Sequence, residues 1–153
     1  MVRQQFPSQL DSHLGYLLRA VSNAVSHSFA RKVDGAGITV AEWVLLRTLY
    51  DVPGIAPSQL SERMNMTKGA ISKLSDRLVQ KGLVARKDNP ADRRAHTLAL
   101  KAAGRAMVPC LSALADDNDA EFFDCIAPGE RRELERILRR IISERALTQI
   151  PVE

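Results

Sequence analysis

Seven residues between positions 67 and 77 have the side chains that a polyanionic, hydrogen-bonding partner would need: Thr67, Lys68, Gly69, Ala70, Ser72, Lys73 and Arg77. If this segment is a helix, Ile71, Leu74, Leu78 and Val79 form its buried stripe, which turns those seven and Asp76 to the other side. Thr67 and Ser72 can then donate to phosphates or base edges, and Lys73 and Arg77 can reach phosphates or guanine acceptors. Gly69 and Ala70 are small enough to let the helix N-terminus approach bases closely. This is the chemistry of a helix that reads the major groove of DNA. An amphipathic surface helix has the same pattern, so this segment does not decide alone.

A second cluster follows at Asp92, Arg93 and Arg94, in a stretch dense in turn formers from Asp88 to Arg93. Guanidinium groups on a projecting turn suit the narrow minor groove, where the negative potential of DNA is strongest. Asp92 can hold an arginine extended, a bracing role and not a contact. Read together, the helix and the turn favour a nucleic-acid interface over a solvated charged surface.

The charge distribution agrees. The chain has 153 residues and a net charge of +4. From Ile55 to Arg105 there are 11 Lys and Arg against 4 Asp and Glu, whereas the remainder holds 11 against 14. One basic segment between acidic flanks suggests a surface that faces an anion, although charge alone fits a lopsided solvated surface equally well.

Catalytic and metal chemistry finds less support. The sequence contains no nucleophile elbow, phosphate-binding loop or zinc-binding histidine pair, so no enzymatic activity and no cofactor are expected. Cys110 and Cys125 make neither a disulfide framework nor a metal-ligand set. Cys110 is expected on the apolar side of its helix and Cys125 lies beside Asp124, which favours inert thiols over redox sensors. His13, His27 and His96 lack metal-ligand spacing. Asp116, Asp117, Asp119, Glu121 and Asp124 would diverge around a helix, which favours a solvated face. No stretch approaches the roughly 18 apolar residues of a membrane span. The opening residues lack the apolar core of a signal peptide, so the expected location is the cytoplasm.

The elements that would position these residues can be read from caps and periodicity. A first helix is expected from Leu10 to about Val33, with Leu10, Leu14, Leu17, Leu18, Val21 and Val25 at helical spacing and Gly35 and Gly37 behind it. Thr39 and Glu42 form a capping box that opens a second helix, broken at Pro53-Gly54. A short third helix covers Gln59 to Met64, with Pro57 near its start. Asn65 suits a left-handed turn, Thr67 caps the fourth helix and Gly82 ends it. Leu83–Lys87 and His96–Leu100 read as two strands of a hairpin with a long polar tip. A fifth helix is expected from about Ala102 to Asp124, and Pro128 opens a sixth carrying Leu134, Ile137, Leu138, Ile141 and Ile142. The fold class is therefore mainly α with a small β-hairpin wing. Residues 39–101 form a winged helix-turn-helix DNA-binding domain, and residues 1–38 and 102–153 form a helical dimerisation region.

Several motifs in this order resemble the MarR family of regulators: Leu60-Ser-Glu-Arg-Met64, Met66-Thr-Lys-Gly-Ala-Ile-Ser-Lys-Leu-Ser-Asp-Arg-Leu78, Lys81-Gly-Leu-Val84 and Asp92-Arg-Arg94. The resemblance extends over nearly the whole chain through the helix order. It implies a homodimer with intertwined terminal helices and one winged domain per subunit on successive major grooves. It also implies that Arg94, with Arg93 beside it, enters the minor groove with Asp92 as its brace. The implied function is a sequence-specific regulator, a ligand-responsive repressor on a pseudo-palindromic operator. Alternatives are a thiol-based sensor through Cys110 or Cys125, and a winged helix used for protein docking. The peroxide-sensing branch carries a cysteine near its N-terminus, whereas residues 1–40 here have none. The family usually has Leu-Thr-x-x-Gly after the wing, but this chain reads Leu100-Lys101-Ala-Ala-Gly104, so its fifth helix starts raggedly or is capped by another group. The resemblance also implies an effector pocket between the DNA-binding lobe and the dimer helices. His13, Tyr16, Arg19, Trp43 and Arg47 would line it, an aromatic wall with cations that suits an aromatic acid or phenol.

Overall fold

A computed structural model describes residues 6–147, except for the side chains of Arg93 and Arg94. A short 3-10 turn at Leu10–Ser12 precedes α1 (Leu14–Asp34), which therefore begins later than its apolar spacing predicts. His13 has extended backbone between the two, and it is where the helical path breaks. The chain continues through α2 (Val40–Tyr50), α3 (Pro57–Met64), α4 (Lys68–Gln80), β1 (Val84–Asn89), β2 (Asp92–Leu100), α5 (Ala102–Phe122) and α6 (Pro128–Glu144).

Local chemistry fixes the middle of the chain. Thr39 Oγ1 accepts from the Glu42 amide at 3.2 Å, and Glu42 Oε2 accepts from the Thr39 amide at 2.9 Å, completing the capping box of α2. Pro57 occupies the first turn of α3, where its missing N–H leaves no intrahelical bond unmade. Asn65 adopts φ 49° and ψ 44°, the left-handed turn that separates α3 from α4.

The core is built by this compact middle and by α5. Leu45, Leu46 and Leu49 of α2, Leu60 and Met64 of α3, Ile71 and Leu78 of α4, Leu98 of β2 and Leu111 of α5 are buried together. At roughly 1.5–3 kcal/mol for each large apolar side chain, this burial holds the short helices that could not persist alone. The hairpin is antiparallel, with Val84 opposite Leu100 and a register irregularity at Asp88/Asn89. Ile55 adds an isolated bridge to Leu98, exchanging two backbone hydrogen bonds of 3.0 and 2.9 Å. That bridge, which period-based reading of the sequence misses, anchors the base of the hairpin to the α2–α3 connection.

The hairpin differs from its expected form. Its strands are longer, and the tip is only Pro90-Ala91 in place of a long polar loop. Asn89 Oδ1 accepts from the Ala91 amide at 2.9 Å and closes the turn locally. Ladder pairing then overrides the turn preference of Asp88, Asn89 and Asp92.

The terminal helices are less covered. In α1 only Val33 is buried, while Leu14, Leu17, Leu18 and Val21 remain exposed. In α6 no residue is buried, and Leu138, Ile141 and Ile142 are open to solvent. α1 packs on α5, which also contacts α2 and the wing. No helix among the described residues is long and apolar enough to cross a membrane.

Candidate nucleic-acid interface

The outward face of α4 is built as its sequence requires. Thr67 Oγ1 accepts from the Ala70 amide at 3.2 Å and caps the helix. Ile71, Leu74, Ser75 and Leu78 are buried beneath it, and the Ser75 hydroxyl is satisfied by the Ile71 carbonyl at 2.7 Å. Thr67, Lys68, Gly69, Ser72, Lys73, Asp76 and Arg77 are all exposed, and Ala70 is half-buried. Gly69 has open space where a side chain would stand, so the N-terminal turn of α4 presents its backbone without obstruction. Lys68 and the Thr67 hydroxyl lie at this end of α4, and Ser72, Lys73 and Arg77 continue the polar face toward the last turn, so the exposed face as a whole suits an anion.

Asp76 shares that face but does not act as an isolated negative charge. Its carboxylate is ion-paired with Arg86 of β1, so α4 is tied to the wing by a charged contact. The wing places Asp92, Arg93 and Arg94 at the start of β2, next to the Pro90-Ala91 tip and not within a loop. Asp92 has an interaction partner within the fold.

The residues expected to line an effector pocket divide between two places. Trp43 and Arg47 lie on one cavity of about 370 Å³ with Val44, Thr48, Asp51, Val52 and Arg63. His13, Tyr16 and Arg19 are exposed on or just before α1 and do not line that cavity. Arg47 is already engaged: its guanidinium meets Asp51 at 2.5 Å and lies 5.7 Å from the centre of the Tyr50 ring. Arg105 lies near the same ring at 5.0 Å and donates to the Tyr50 carbonyl at 3.2 Å. Trp43 meets Phe29 edge-to-face, with ring centres 6.4 Å apart, so it also serves the packing of α2 on α1. Arg63 and Asp51, which the sequence reading did not single out, join this cavity because the α2–α3 connection folds back on α2.

Cys110 is exposed, contrary to its expected place on the apolar side of α5. The buried positions of α5 are Gly104, Val108, Leu111 and Asn118, and Cys110 falls off that stripe. Cys125 is exposed as well. Among the described residues no group of three or more His, Cys, Asp or Glu side chains could hold a metal ion. The acidic run of α5 is spread over solvent, with Glu121 paired to Lys32 at 2.5 Å. Lys101, at the start of α5, provides no side-chain cap. Its amide donates instead to the Leu83 carbonyl at 2.9 Å, which joins the helix to the wing through backbone.

Comparison with known proteins places this geometry among transcriptional regulators. Residues 38–96 match the family model described as "MarR family". An HTH-type transcriptional repressor of Mycobacterium tuberculosis is 28% identical over 134 residues, covering 88% of this chain and 96% of the relative. The multiple antibiotic resistance protein MarR of Escherichia coli is 27% identical over 130 residues, covering 84% and 90%. Among solved structures, a probable transcriptional regulator from Pseudomonas aeruginosa superposes with a TM-score of 0.76 at 28% identity, over 88% of this chain and 100% of that one. A mutant Escherichia coli MarR complexed with operator DNA gives 0.75 at 27% identity, over 88% and 99%.

Proposed function

We propose that this chain, whose residues 38–96 match the model of the MarR family, is a sequence-specific transcriptional regulator, a repressor that binds double-stranded DNA as a homodimer. The observation that carries this reading is the exposed face of α4, where Thr67, Lys68, Ser72, Lys73 and Arg77 stand over the buried Ile71, Leu74 and Leu78 beside a two-stranded wing. Thr67, Lys68, Gly69, Ala70, Ser72, Lys73 and Arg77 read the major groove. Arg93 and Arg94 reach the minor groove, with Asp92 as brace. Residues 39–101 act as the reading module, and residues 1–38 and 102–153 join the two subunits. The protein acts in the cytoplasm and has no catalytic role.

Two subunits are needed because a single chain leaves α1 and α6 with open apolar faces. They would place two recognition helices about one helical turn apart, roughly 10 base pairs, on a pseudo-palindromic site. Selection from a library of duplexes with about 30 random base pairs, three helical turns, tests this. The dimer should enrich two inverted half-sites at that spacing. A winged helix used only for protein docking would enrich none.

An aromatic acid or phenol is the effector class that Trp43 and Arg47 favour. His13, Tyr16 and Arg19 would come from α1 and the turn before it to complete the site. The effector would act by favouring a spacing of the recognition helices that does not match the duplex. A typical coupling of about 1–3 kcal/mol would loosen DNA by roughly 5- to 150-fold.

A further inference from the structure

Among the described residues, Glu42 is the ionisable side chain that lies in the core, with 1% of its surface exposed. Its Oε2 accepts from the Thr39 amide at 2.9 Å and from Lys81 Nζ at 2.8 Å. Lys81 Nζ also donates to the Gly37 carbonyl at 2.8 Å. Lys81 is the residue that ends α4, and Gly37 lies in the turn between α1 and α2. Each end of this contact adjoins a glycine in left-handed backbone: Gly37 itself at φ 75° and Gly82, next to Lys81, at φ 72°. Two tight turns, both conformationally permissive in the unfolded chain, are thus joined by one ammonium group.

We propose that Lys81 is a positioning residue for DNA recognition. By clasping Glu42 and the Gly37 carbonyl, it fixes the angle of α4 against the α1–α2 junction and thereby the separation of the two recognition helices. The inference rests on the DNA-binding dimer proposed above. Glu42 is buried but the Lys81 side chain is 38% exposed, and an ion pair open to solvent on one side adds little net stability, so geometry is the stronger reason for its presence. The lever is long enough to matter. The 13 residues of α4 span roughly 20 Å at about 1.5 Å each. A tilt of about 10° at the Lys81 end would move the opposite end by roughly 3.4 Å, about one base-pair step. Lys81 Nζ is turned toward Glu42 and Gly37, so it is not counted among the phosphate contacts.

The test compares the parent with Lys81→Met and with Glu42→Gln/Lys81→Met, which removes both charges and leaves no buried carboxylate unpaired. The probes are the duplex that the parent itself selects and the same duplex with one base pair inserted between its half-sites. The double variant should melt like the parent, bind the selected duplex about 3- to 30-fold more weakly, and lose most of the preference for the uninserted spacing. Its dependence on salt should keep the parent's slope. A double variant that melts like the parent and keeps its spacing preference overturns the proposal, as does one that does not fold, since the clasp would then serve stability. A salt slope lower by about one in Lys81→Met would make Lys81 a phosphate contact and overturn it too. A parent that selects no duplex overturns the DNA-binding reading and the inference with it, whereas failure of the variants alone leaves that reading standing.

Discussion

Asp76, on the outer face of α4, is ion-paired with Arg86 on the first wing strand, and this contact neutralises the one acidic group on a face otherwise lined with cations and hydroxyls. Both side chains are well exposed, so the pair contributes little to stability, within roughly 1 kcal/mol. Its larger effect is on the surface that faces DNA. Arg86→Ala should lower the melting temperature by only a few degrees but weaken duplex binding, because it frees the Asp76 charge. Asp76→Ala/Arg86→Ala should recover much of that loss. Equal weakening in the single and double variants would show that Arg86 contacts a phosphate itself.

The cap of α4 gives a second expectation. Thr67 Oγ1 satisfies the Ala70 amide, and removing such a cap costs about 1 kcal/mol. In a chain of this size Thr67→Ala should therefore lower the melting temperature by roughly 2–4 °C. Thr67→Ser keeps the oxygen and should lose much less. Equal loss in both variants would mean that the methyl group, not the cap, matters at this position.

What could be read in the sequence was local. The capping box of Thr39 and Glu42, the left-handed Asn65 and the apolar stripe of α4 involve residues within one or two turns of each other, and their chemistry acts without the rest of the fold. What could not be read depended on partners far away in the chain. The wing strands extend to Asn89 and begin again at Asp92 because ladder pairing outweighs the turn preference of those residues. The Ile55–Leu98 bridge joins segments more than 40 residues apart and has no local signature. The ammonium of Lys81 is committed to Glu42 and Gly37, about 40 residues away in the chain, and no local pattern announces that contact. Cys110 adjoins the buried Leu111 but is itself exposed, because the phase of the α5 stripe is set by what packs on it, the wing, α1 and α2, and not by local spacing. Of the proposed effector residues, Trp43 and Arg47 share a cavity because both belong to α2, whereas Tyr16 lies on α1 and is not on it.

Gly104 provides a third, sharper test of packing. A side-chain carbon there would overlap the Leu83 carbonyl oxygen, the same atom that accepts from the Lys101 amide. That backbone is held by the wing and cannot yield cheaply. Gly104→Ala should destabilise by about 1–3 kcal/mol, the usual cost of overpacking. Gly69→Ala, where open space surrounds the position, serves as the control. Thermal melts in which Gly104→Ala matches the parent would show that the α5–wing joint is looser than described.

The dimer is tested on α1. Leu18 is 49% exposed in the single chain, so Leu18→Asp should leave the subunit folded. If α1 joins the two subunits, a charge there would stand unpaired in the interface and should dissociate the dimer. Light scattering at micromolar concentration should give twice the subunit mass for the parent and a lower mass for the variant. A monomeric parent would remove the dimer from the account, and a dimeric Leu18→Asp would move the interface elsewhere.

Whether α4 and the wing read DNA is decided by the salt dependence of binding to the duplex that the parent selects. Each phosphate contact contributes about one to the slope of log affinity against log salt. Lys73→Ala should lower that slope by about one, and Arg94→Ala should weaken binding while the protein melts like the parent. If both variants bind that duplex as the parent does, with the same slope, then α4 and the wing are not the reading elements.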